Sequence, residues 1–192
     1  MGLGSKRKQR NPSSRIREEK PNMVFIQETK CSMDKIKGVH SNWLSRFEYL
    51  DVKVGSLTGG ILMLWNPENL SIVGAEASKN YISMVIQLVG NKEHYMMTNV
   101  YGPQIPEDKL RFLTSLEELR GRYLDLPWIL ASDLNMIKSL TEKKGGTRTL
   151  GRDSTAFQNF IHNMRLVDVE TINGIFTWNN KRGGGLHKLP LN

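Results

Sequence analysis

Short apolar runs that end at polar or turn-forming residues predict strands along most of the chain. Two of these runs, 23–26 and 128–131, are continuous and have the length of strands buried on both faces. Between them, apolar and polar positions alternate with a period of two, which predicts antiparallel strands joined by turns such as Gly90-Asn91. The predicted antiparallel strands are 47–54, 61–65, 70–73, 81–88 and 94–100.

Helical spacing of apolar residues predicts two longer helices, and Asn11-Pro12 predicts the start of a short one over 13–19. The second helix is predicted to be capped by Asp153, and short strands are predicted at 166–169 and 176–178. The apolar face of the helix predicted over 106–120 comprises Leu110, Leu113, Leu116 and Leu119. The apolar face of the helix after Asp153 comprises Phe157, Phe160, Ile161 and Met164.

The order of these elements favours an α/β protein whose two β-sheets pack face to face with helices outside. We therefore predict a four-layer α/β sandwich with mixed, largely antiparallel sheets rather than a doubly wound parallel sheet. Met96, Met97 and Trp65 are assigned to its core, because methionine and aromatic residues in strands usually fill cores rather than bind cofactors. The four histidines show no spacing typical of a metal site.

Composition and charge narrow the class of protein. The chain has 192 residues and a net charge of +8, with 39% hydrophobic and 24% charged residues, which suits one globular domain and a monomer. Residues 1–20 carry seven basic and two acidic side chains, and a second basic cluster follows residue 137. Clustered cations favour a nucleic-acid partner, DNA or RNA, although solvated basic segments remain an alternative. The second cluster comprises Lys138, Lys143, Lys144, Arg148 and Arg152.

The location of the protein is predicted from what its sequence lacks. No apolar stretch is long enough for a membrane span, and no signal peptide is recognised at the N-terminus. The single Cys31 indicates a reducing compartment, and the basic segment 6–10 is similar to a nuclear-localisation patch. We therefore expect an intracellular protein, with the nucleus as one destination, and no membrane partner.

Polar side chains follow two of the predicted buried strands. Asp133 and Asn135 come directly after the run 128–131, and Glu28 follows the run 23–26. Side chains just beyond strand ends can bind a metal, a proton or a phosphate oxygen. Alternatively, Asp133 and Asn135 only shape a turn and Glu28 is a solvated strand end. A calcium-binding loop is excluded, because Lys144 stands where such a loop needs a bidentate glutamate.

Six motifs, taken in order, resemble those of the endonuclease/exonuclease/phosphatase superfamily, whose fold is that of deoxyribonuclease I. The resemblance is greatest to the endonuclease domain of plant LINE-type non-LTR retrotransposons and covers residues 21–182. Each motif is weak alone, and the ordered set is specific. The motifs are Phe25-Ile26-Gln27-Glu28-Thr29-Lys30, Gly59-Gly60-Ile61, Thr98-Asn99-Val100-Tyr101-Gly102-Pro103, Ser132-Asp133-Leu134-Asn135, Glu142-Lys143-Lys144-Gly145-Gly146 and Gly174-Ile175-Phe176-Thr177-Trp178.

The resemblance implies a role for each matching residue. Glu28 corresponds to the glutamate that binds Mg²⁺ or Mn²⁺, and Tyr101 to the tyrosine that touches the scissile phosphate. Asp133 is similar to the aspartate that positions or deprotonates the attacking water, and Asn135 to its companion that holds the phosphate oxygen. A magnesium ion held by few carboxylates can stabilise the charge that develops on a cleaved phosphodiester. Contacts to nucleic acid are expected from Lys143, Lys144 and Arg148.

The sequence also departs from the pattern of the family. Ser132 and Leu134 replace the usual Gly and Phe, which puts the local turn in question. The family's first strand, with an active-site Asn, and its closing Asp and Ser-Asp-His strands have no counterpart, so no residue takes the histidine role.

We therefore expect an incomplete domain over 21–182, a basic tail with a short helix over 1–20, and a truncated tail over 183–192. The expected function is that of a remnant of a Mg²⁺-dependent retrotransposon DNA endonuclease, weakly active or inactive, because lost catalytic groups commonly cost factors of about 10² to 10⁴. A nucleic-acid-binding remnant without activity and a phosphoesterase of the same superfamily are the alternatives.

Overall fold

The computed structural model describes residues 12–29, 45–54, 58–142 and 150–169. These residues form two compact units. The first unit holds the described residues up to Tyr101 together with Asp125–Ser132, and the second holds Gly102–Leu124 and the described residues from Asp133 onward. The helices are α1 (Pro12–Glu19), α2 (Pro106–Gly121) and α3 (Arg152–Asn163), with a 3₁₀ turn at Leu140–Glu142. The strands are β1 (Met23–Ile26), β2 (Glu48–Val54), β3 (Thr58–Trp65), β4 (Leu70–Ala77), β5 (Tyr81–Leu88), β6 (His94–Tyr101) and β7 (Trp128–Asp133).

The strands form two sheets in the first unit. Strand order is β1-β3-β2 in the three-stranded sheet and β4-β5-β6-β7 in the four-stranded sheet. The pairs β1–β3, β2–β3, β4–β5 and β5–β6 are antiparallel. The Met96 amide, near the start of β6, donates to the carbonyl of Pro127 just before β7, so β6 and β7 run in the same direction. The predicted mixed and largely antiparallel architecture is confirmed.

Apolar residues on β3 face two different cores, as the alternation of a strand requires. Ile61 and Met63 pack between the sheets against Ile82, Met84 and Ile86. On the opposite face, Leu62 and Leu64 pack with Phe47 and with Ile16 of α1. Met96 is fully buried, and Met97 and Trp65 pack against the inter-sheet core, so their assignment to the core is confirmed.

In the second unit, α2 and α3 pack against each other. The apolar face predicted for α2 was partly wrong, since Leu110 is 51% exposed and Phe112 is buried in its place. The residue that caps α3 is Gly151 rather than Asp153, which lies in the first helical turn. Asp153 instead forms an ion pair with the buried Lys109 at 2.8 Å, which fixes α3 to α2.

Three strand predictions require correction. The run 128–131 is a strand but is not buried on both faces, since Ile129 is 47% exposed and its neighbours are half-buried. The cause is that β7 ends the strand order of its sheet among the described residues. Likewise β1 is half-buried throughout. Residues 166–169 form no strand, because they have no sheet partner in the described part of the chain, and Val167 and Val169 are about 90% exposed.

Several other predictions lie outside the described residues, namely the capping Asn11, the strand at 176–178 and the basic residues Lys143, Lys144 and Arg148. Where the structure is described, no helix is both long and apolar enough to cross a membrane.

Candidate active site

The structure brings together two predicted site residues that are far apart in the sequence of the first unit. Glu28 follows β1, and Tyr101 is the last residue of β6. The Tyr101 hydroxyl donates a hydrogen bond of 2.6 Å to Oε1 of Glu28. A hydrogen bond to an ionised carboxylate is stronger than one between neutral groups, so each side chain restricts the other's orientation. Both side chains are half-buried and keep access to solvent.

The backbone of Glu28 is strained. Its φ is +52°, in the left-handed region that costs a residue with a Cβ roughly 1 kcal/mol or more. Among the described residues, Lys20 and Arg165 also have positive φ, but they directly follow α1 and just follow α3, where left-handed residues commonly end helices. The remaining non-glycine residue with positive φ is Asn135, at +53°. Two of the four predicted site residues therefore have left-handed backbones that no helix end explains.

Hydrogen bonds on both sides of Glu28 hold this conformation. After it, the Thr29 amide donates to the Gly60 carbonyl at 3.1 Å. A Cβ on Gly60 would lie 2.8 Å from both Thr29 Oγ1 and the Val52 carbonyl oxygen, so the approach requires glycine. Before it, the Gln27 side chain donates to Oδ1 of Asn99 at 2.6 Å.

Asn99 connects the two sheets of the first unit. Its side chain is fully buried in β6, and its Nδ2 donates to the carbonyls of Leu62, at 2.9 Å, and Ile26, at 3.3 Å. Together with the bond from Gln27, these contacts fix the end of β1 from which Glu28 projects. No role was predicted from the sequence for Gln27 or Asn99. An asparagine beside apolar residues of a predicted strand was the signal that could have identified this network, because buried polar groups are kept where they are satisfied.

The main chain of Tyr101 is fixed as well. Its amide donates to the Asn80 carbonyl at 2.9 Å, and the Asn80 side chain donates to the Tyr101 carbonyl at 2.8 Å. The ring therefore projects from a backbone that is bound in both directions, at the end of a strand rather than in a loop.

Asp133 and Asn135 lie in the second unit and are held by contacts to Gly102 and to each other. The Gly102 amide donates to the Asp133 carbonyl at 2.7 Å, and the Asn135 side chain donates to the Gly102 carbonyl at 2.7 Å. Oδ1 of Asp133 accepts the Asn135 amide at 3.2 Å. The predicted turn-forming role of the pair is therefore real, and it leaves the carboxylate of Asp133 exposed at the end of β7.

The turn forms although Ser132 and Leu134 depart from the family's residues. Leu134 and Met136 are buried, at 4% and 5% exposure, and their side chains hold the turn against the protein interior. Gly102 is required at the contact, because a Cβ there would overlap the carbonyl oxygen of Leu134. An apolar residue at 134 thus preserves the presentation of Asp133 and Asn135.

The residues present suit some metals and not others. Within the described ranges, no three His, Cys, Asp or Glu side chains are grouped so as to bind an ion. A zinc site or an all-protein calcium cage is therefore not formed there. Mg²⁺ needs fewer protein ligands, since it keeps several waters and binds through one or two carboxylates together with substrate phosphates. The half-exposed carboxylate of Glu28 is of the type that this mode of binding uses.

Comparison with solved structures shows the class of fold. The chain is similar to the endonuclease domain of TRAS1, a telomere-specific non-LTR retrotransposon, with a TM-score of 0.67 and 10% identity over 93% of this chain and 74% of that one. It is also similar to a mannosyl-6-phosphatase of Bacteroides thetaiotaomicron, with a TM-score of 0.60 and 14% identity over 93% and 75%.

A third similar structure is an endonuclease/exonuclease/phosphatase family protein of the same bacterium, with a TM-score of 0.56 and 14% identity over 77% of this chain. This chain spans 58% of the length of that protein. No protein-family model and no curated protein matches the sequence. The chain therefore has the fold of the endonuclease/exonuclease/phosphatase superfamily, as predicted, and the fold is shared by a retrotransposon endonuclease and a sugar phosphatase.

Proposed function

We propose that the chain is part of a retrotransposon endonuclease that hydrolyses DNA phosphodiester bonds with the help of Mg²⁺ or Mn²⁺. The observation that carries the proposal is the hydrogen bond between Tyr101 and Glu28, two residues from the ends of different strands. A left-handed glutamate and a buried polar network accompany it, and strained or buried polar features of this kind are typical of functional sites.

Each residue has a role that its chemistry permits. Glu28 would hold the metal ion, which when bound supplies positive charge to the cleaved phosphodiester. Tyr101 orients the Glu28 carboxylate, and its single hydroxyl proton could instead be donated to a phosphate oxygen when substrate is bound. The exposed carboxylate of Asp133 would take a proton from the attacking water, and Asn135 would hold a phosphate oxygen. The sequence predicts a weakly active or inactive remnant, so we expect cleavage to be slow at most.

Nicking of supercoiled plasmid by the full chain tests this function, with Mg²⁺, with Mn²⁺ and with chelator. Asp133→Ala should abolish metal-dependent nicking. Asp125→Ala removes another exposed aspartate eight positions earlier and should leave nicking unchanged. Equal nicking by the wild type and by Asp133→Ala would contradict the assignment, and a silent, folded wild type would contradict the activity itself.

Tyr101→Phe removes the hydroxyl that orients Glu28 and keeps the aromatic ring. We expect nicking to fall by about 10² or less, because one donated hydrogen bond is lost while the strand is kept. Glu28→Gln should cost more, since an amide keeps the size of the side chain but loses the charge that a hard cation needs. Titration with Mg²⁺ would show a raised metal requirement in Glu28→Gln.

Nucleic-acid binding without cleavage is a second candidate, favoured by a groove in the second unit. Lys138 and the exposed Arg165 line this groove together with His162 and Gln158. Fluorescence anisotropy would measure the affinity for labelled DNA and RNA. As salt is raised from 50 to 200 mM, the binding constant should fall by roughly tenfold for every two phosphates that the protein contacts. Binding that survives Asp133→Ala but weakens in Arg165→Ala would favour this candidate.

A phosphomonoesterase is a third candidate, because a solved phosphatase shares the fold at a TM-score of 0.60. Release of inorganic phosphate from sugar phosphates, measured beside plasmid nicking, distinguishes the two. Phosphate release without nicking would favour the phosphatase.

A further inference from the structure

Glu142 is a buried acidic residue in the second unit without an obvious structural need. It ends the 3₁₀ turn at Leu140–Glu142 and is 6% exposed, and it is the buried carboxylate among the described residues. Its Oε2 accepts the backbone amide of Lys138 at 2.8 Å. Its Oε1 accepts no hydrogen bond from the described residues and lies 3.7 Å from the Lys138 ammonium.

A role in stability alone explains this arrangement poorly. A carboxylate loses its hydration on burial, and an attraction at 3.7 Å without a hydrogen bond recovers that loss incompletely. A neutral acceptor at position 142 could bind the Lys138 amide without this cost. Residues that break local rules of this kind are expected near functional sites.

The contacts of Glu142 converge on Lys138. The Lys138 ammonium is also paired with Asp168, and its carbonyl accepts a hydrogen bond of 2.5 Å from the Gln158 side chain of α3. The amide, the carbonyl and the side chain of Lys138 are thus all bound. Lys138 follows Asn135 by three residues, and the buried Met136 lies between them.

The segment 133–138 is consequently anchored at two ends. Gly102 binds Asp133 and Asn135 at the first end, and Glu142, with Gln158 and Asp168, binds Lys138 at the second. Asn135 has a left-handed backbone between the two anchors. A strained residue keeps its conformation when the flanking chain is held on both sides.

We propose that Glu142 is a positioning residue that fixes the Asp133-Asn135 turn by anchoring Lys138. An effect of Glu142 on cleavage rests on the function proposed above, whereas an effect of Glu142 on the turn does not. Glu142 does not act on the substrate itself. It acts through the backbone of Lys138 and the segment that this residue terminates.

Amide hydrogen exchange in the full chain tests the anchoring without any activity. In Glu142→Ala, exchange at Lys138 and at Asn135 should accelerate by about tenfold or more, while β5 stays unchanged, because local opening is separate from global unfolding. Glu142→Gln keeps an acceptor for the Lys138 amide and should accelerate exchange by only about threefold. Glu118→Ala removes an exposed carboxylate from α2 and serves as the matched control.

Nicking kinetics give the second readout. Glu142→Ala should lower kcat by roughly tenfold with little change in KM, and Glu142→Gln should restore most of the rate, since a misplaced Asp133 affects the chemical step more than binding. Faster exchange at Lys138 with unchanged exchange at Asn135 would overturn the proposal, as would equal effects of the Gln and Ala variants. A wild type that does not nick would refute the proposed function, and the exchange experiment would still decide the role of Glu142.

Discussion

The candidate site residues fall into two sets, a first half in the first unit and a second half in the second unit, and the two sets are held in place by different means. Glu28 is fixed by contacts of its two neighbours to other strands, from Gln27 to Asn99 of β6 and from Thr29 to Gly60 of β3. Asp133 and Asn135 are fixed by contacts of a turn, through Gly102 and neighbours within nine residues. We therefore expect the first half to depend on the core of its unit and the second to open locally.

Each half contains a non-glycine residue with a left-handed backbone, and that residue is itself a candidate site residue. In the first half that residue is Glu28 itself, for which the left-handed region is unfavourable. In the second it is Asn135, a residue type that tolerates this region. The strained backbone of Glu28 is supported by a buried hydrogen-bond network. The turn at Asn135 is supported by a close contact that only glycine permits, at Gly102, and by the hydrogen bond that holds Lys138.

Asn99→Leu should have the largest effect on stability. The variant removes the two hydrogen bonds that Asn99 donates to the carbonyls of Leu62 and Ile26 and the one that it accepts from Gln27, which should cost about 3 kcal/mol. Urea denaturation measures the change. Asn69→Ala is the control, because its exposed side-chain hydrogen bond to Asn22 should contribute about 0.5 kcal/mol. A loss at Asn99 as small as that at Asn69 would contradict the view that this network supports Glu28.

Gly102→Ala should have the next largest effect. Its Cβ would overlap the carbonyl of Leu134, and a backbone neighbour moves less easily than a side chain, so we expect a loss of roughly 1–3 kcal/mol. Gly121→Ala, at the end of α2, meets no atom within 4 Å and should be neutral or stabilising by a few tenths of a kcal/mol. Thermal denaturation distinguishes the two.

Hydrogen exchange extends the test of Gly102 to the comparison between the halves. Exchange at Asn135 should accelerate in Gly102→Ala, while the amide of Thr29 keeps its protection. Equal acceleration at both amides would mean that the second half does not loosen independently, and the contrast drawn above would be wrong.

Much of this fold could be predicted from periodicity, because successive side chains along the strands of the first unit point to opposite faces of the sheet. Ile61 and Met63 face one core while Leu62 and Leu64 face the other, and the period of two requires this separation. Burial of whole strands could not be predicted in the same way. Ile129 is exposed because of the position of β7 in the strand order, which the pattern of a single strand does not contain.

The candidate site residues were predicted from resemblance and from their places after strands, whereas their supports were missed. Asn99 and Gly60 act through contacts to residues 37 and 31 positions away, and one sequence without its fold does not reveal such pairs. The same reason accounts for the error at Leu110, since helical spacing cannot tell which edge of an apolar face meets a partner helix. The roles assigned to Glu28 and Asp133 stay predictions until activity is measured.

Glu28→Gly tests whether the left-handed backbone of Glu28 is more strained than that of Asn135. Glycine adopts φ near +50° without penalty, so we expect the relief of strain to exceed the loss of the Tyr101 hydrogen bond and the variant to be more stable by up to about 1 kcal/mol, while it loses metal-dependent nicking. Asn135→Gly should gain nothing, because asparagine tolerates this region and its side chain also bonds the Gly102 carbonyl. Urea denaturation compares the two, and equal gains would contradict the difference in strain. The Glu28→Gln variant controls for loss of charge, since it keeps the strained backbone and should not be stabilised.

The smallest expected effect concerns pH and the second unit. The pKa of Asp153 is lowered first by the hydrogen bond from Lys109, and also by the charge of Lys109 and by backbone amides at the start of α3. A lowered pKa in the folded state means that the contribution to stability is present above the ordinary carboxyl pKa of 3.8 and is lost as pH falls through the folded value. Asp153→Asn keeps an acceptor for Lys109 without the charge, so it should cost roughly 0.5–1 kcal/mol near neutral pH. The difference between variant and wild type should then shrink below about pH 4, and urea denaturation from pH 7 to pH 2.5 measures it. A difference that stayed constant with pH would show that the ion pair between α2 and α3 contributes by packing alone.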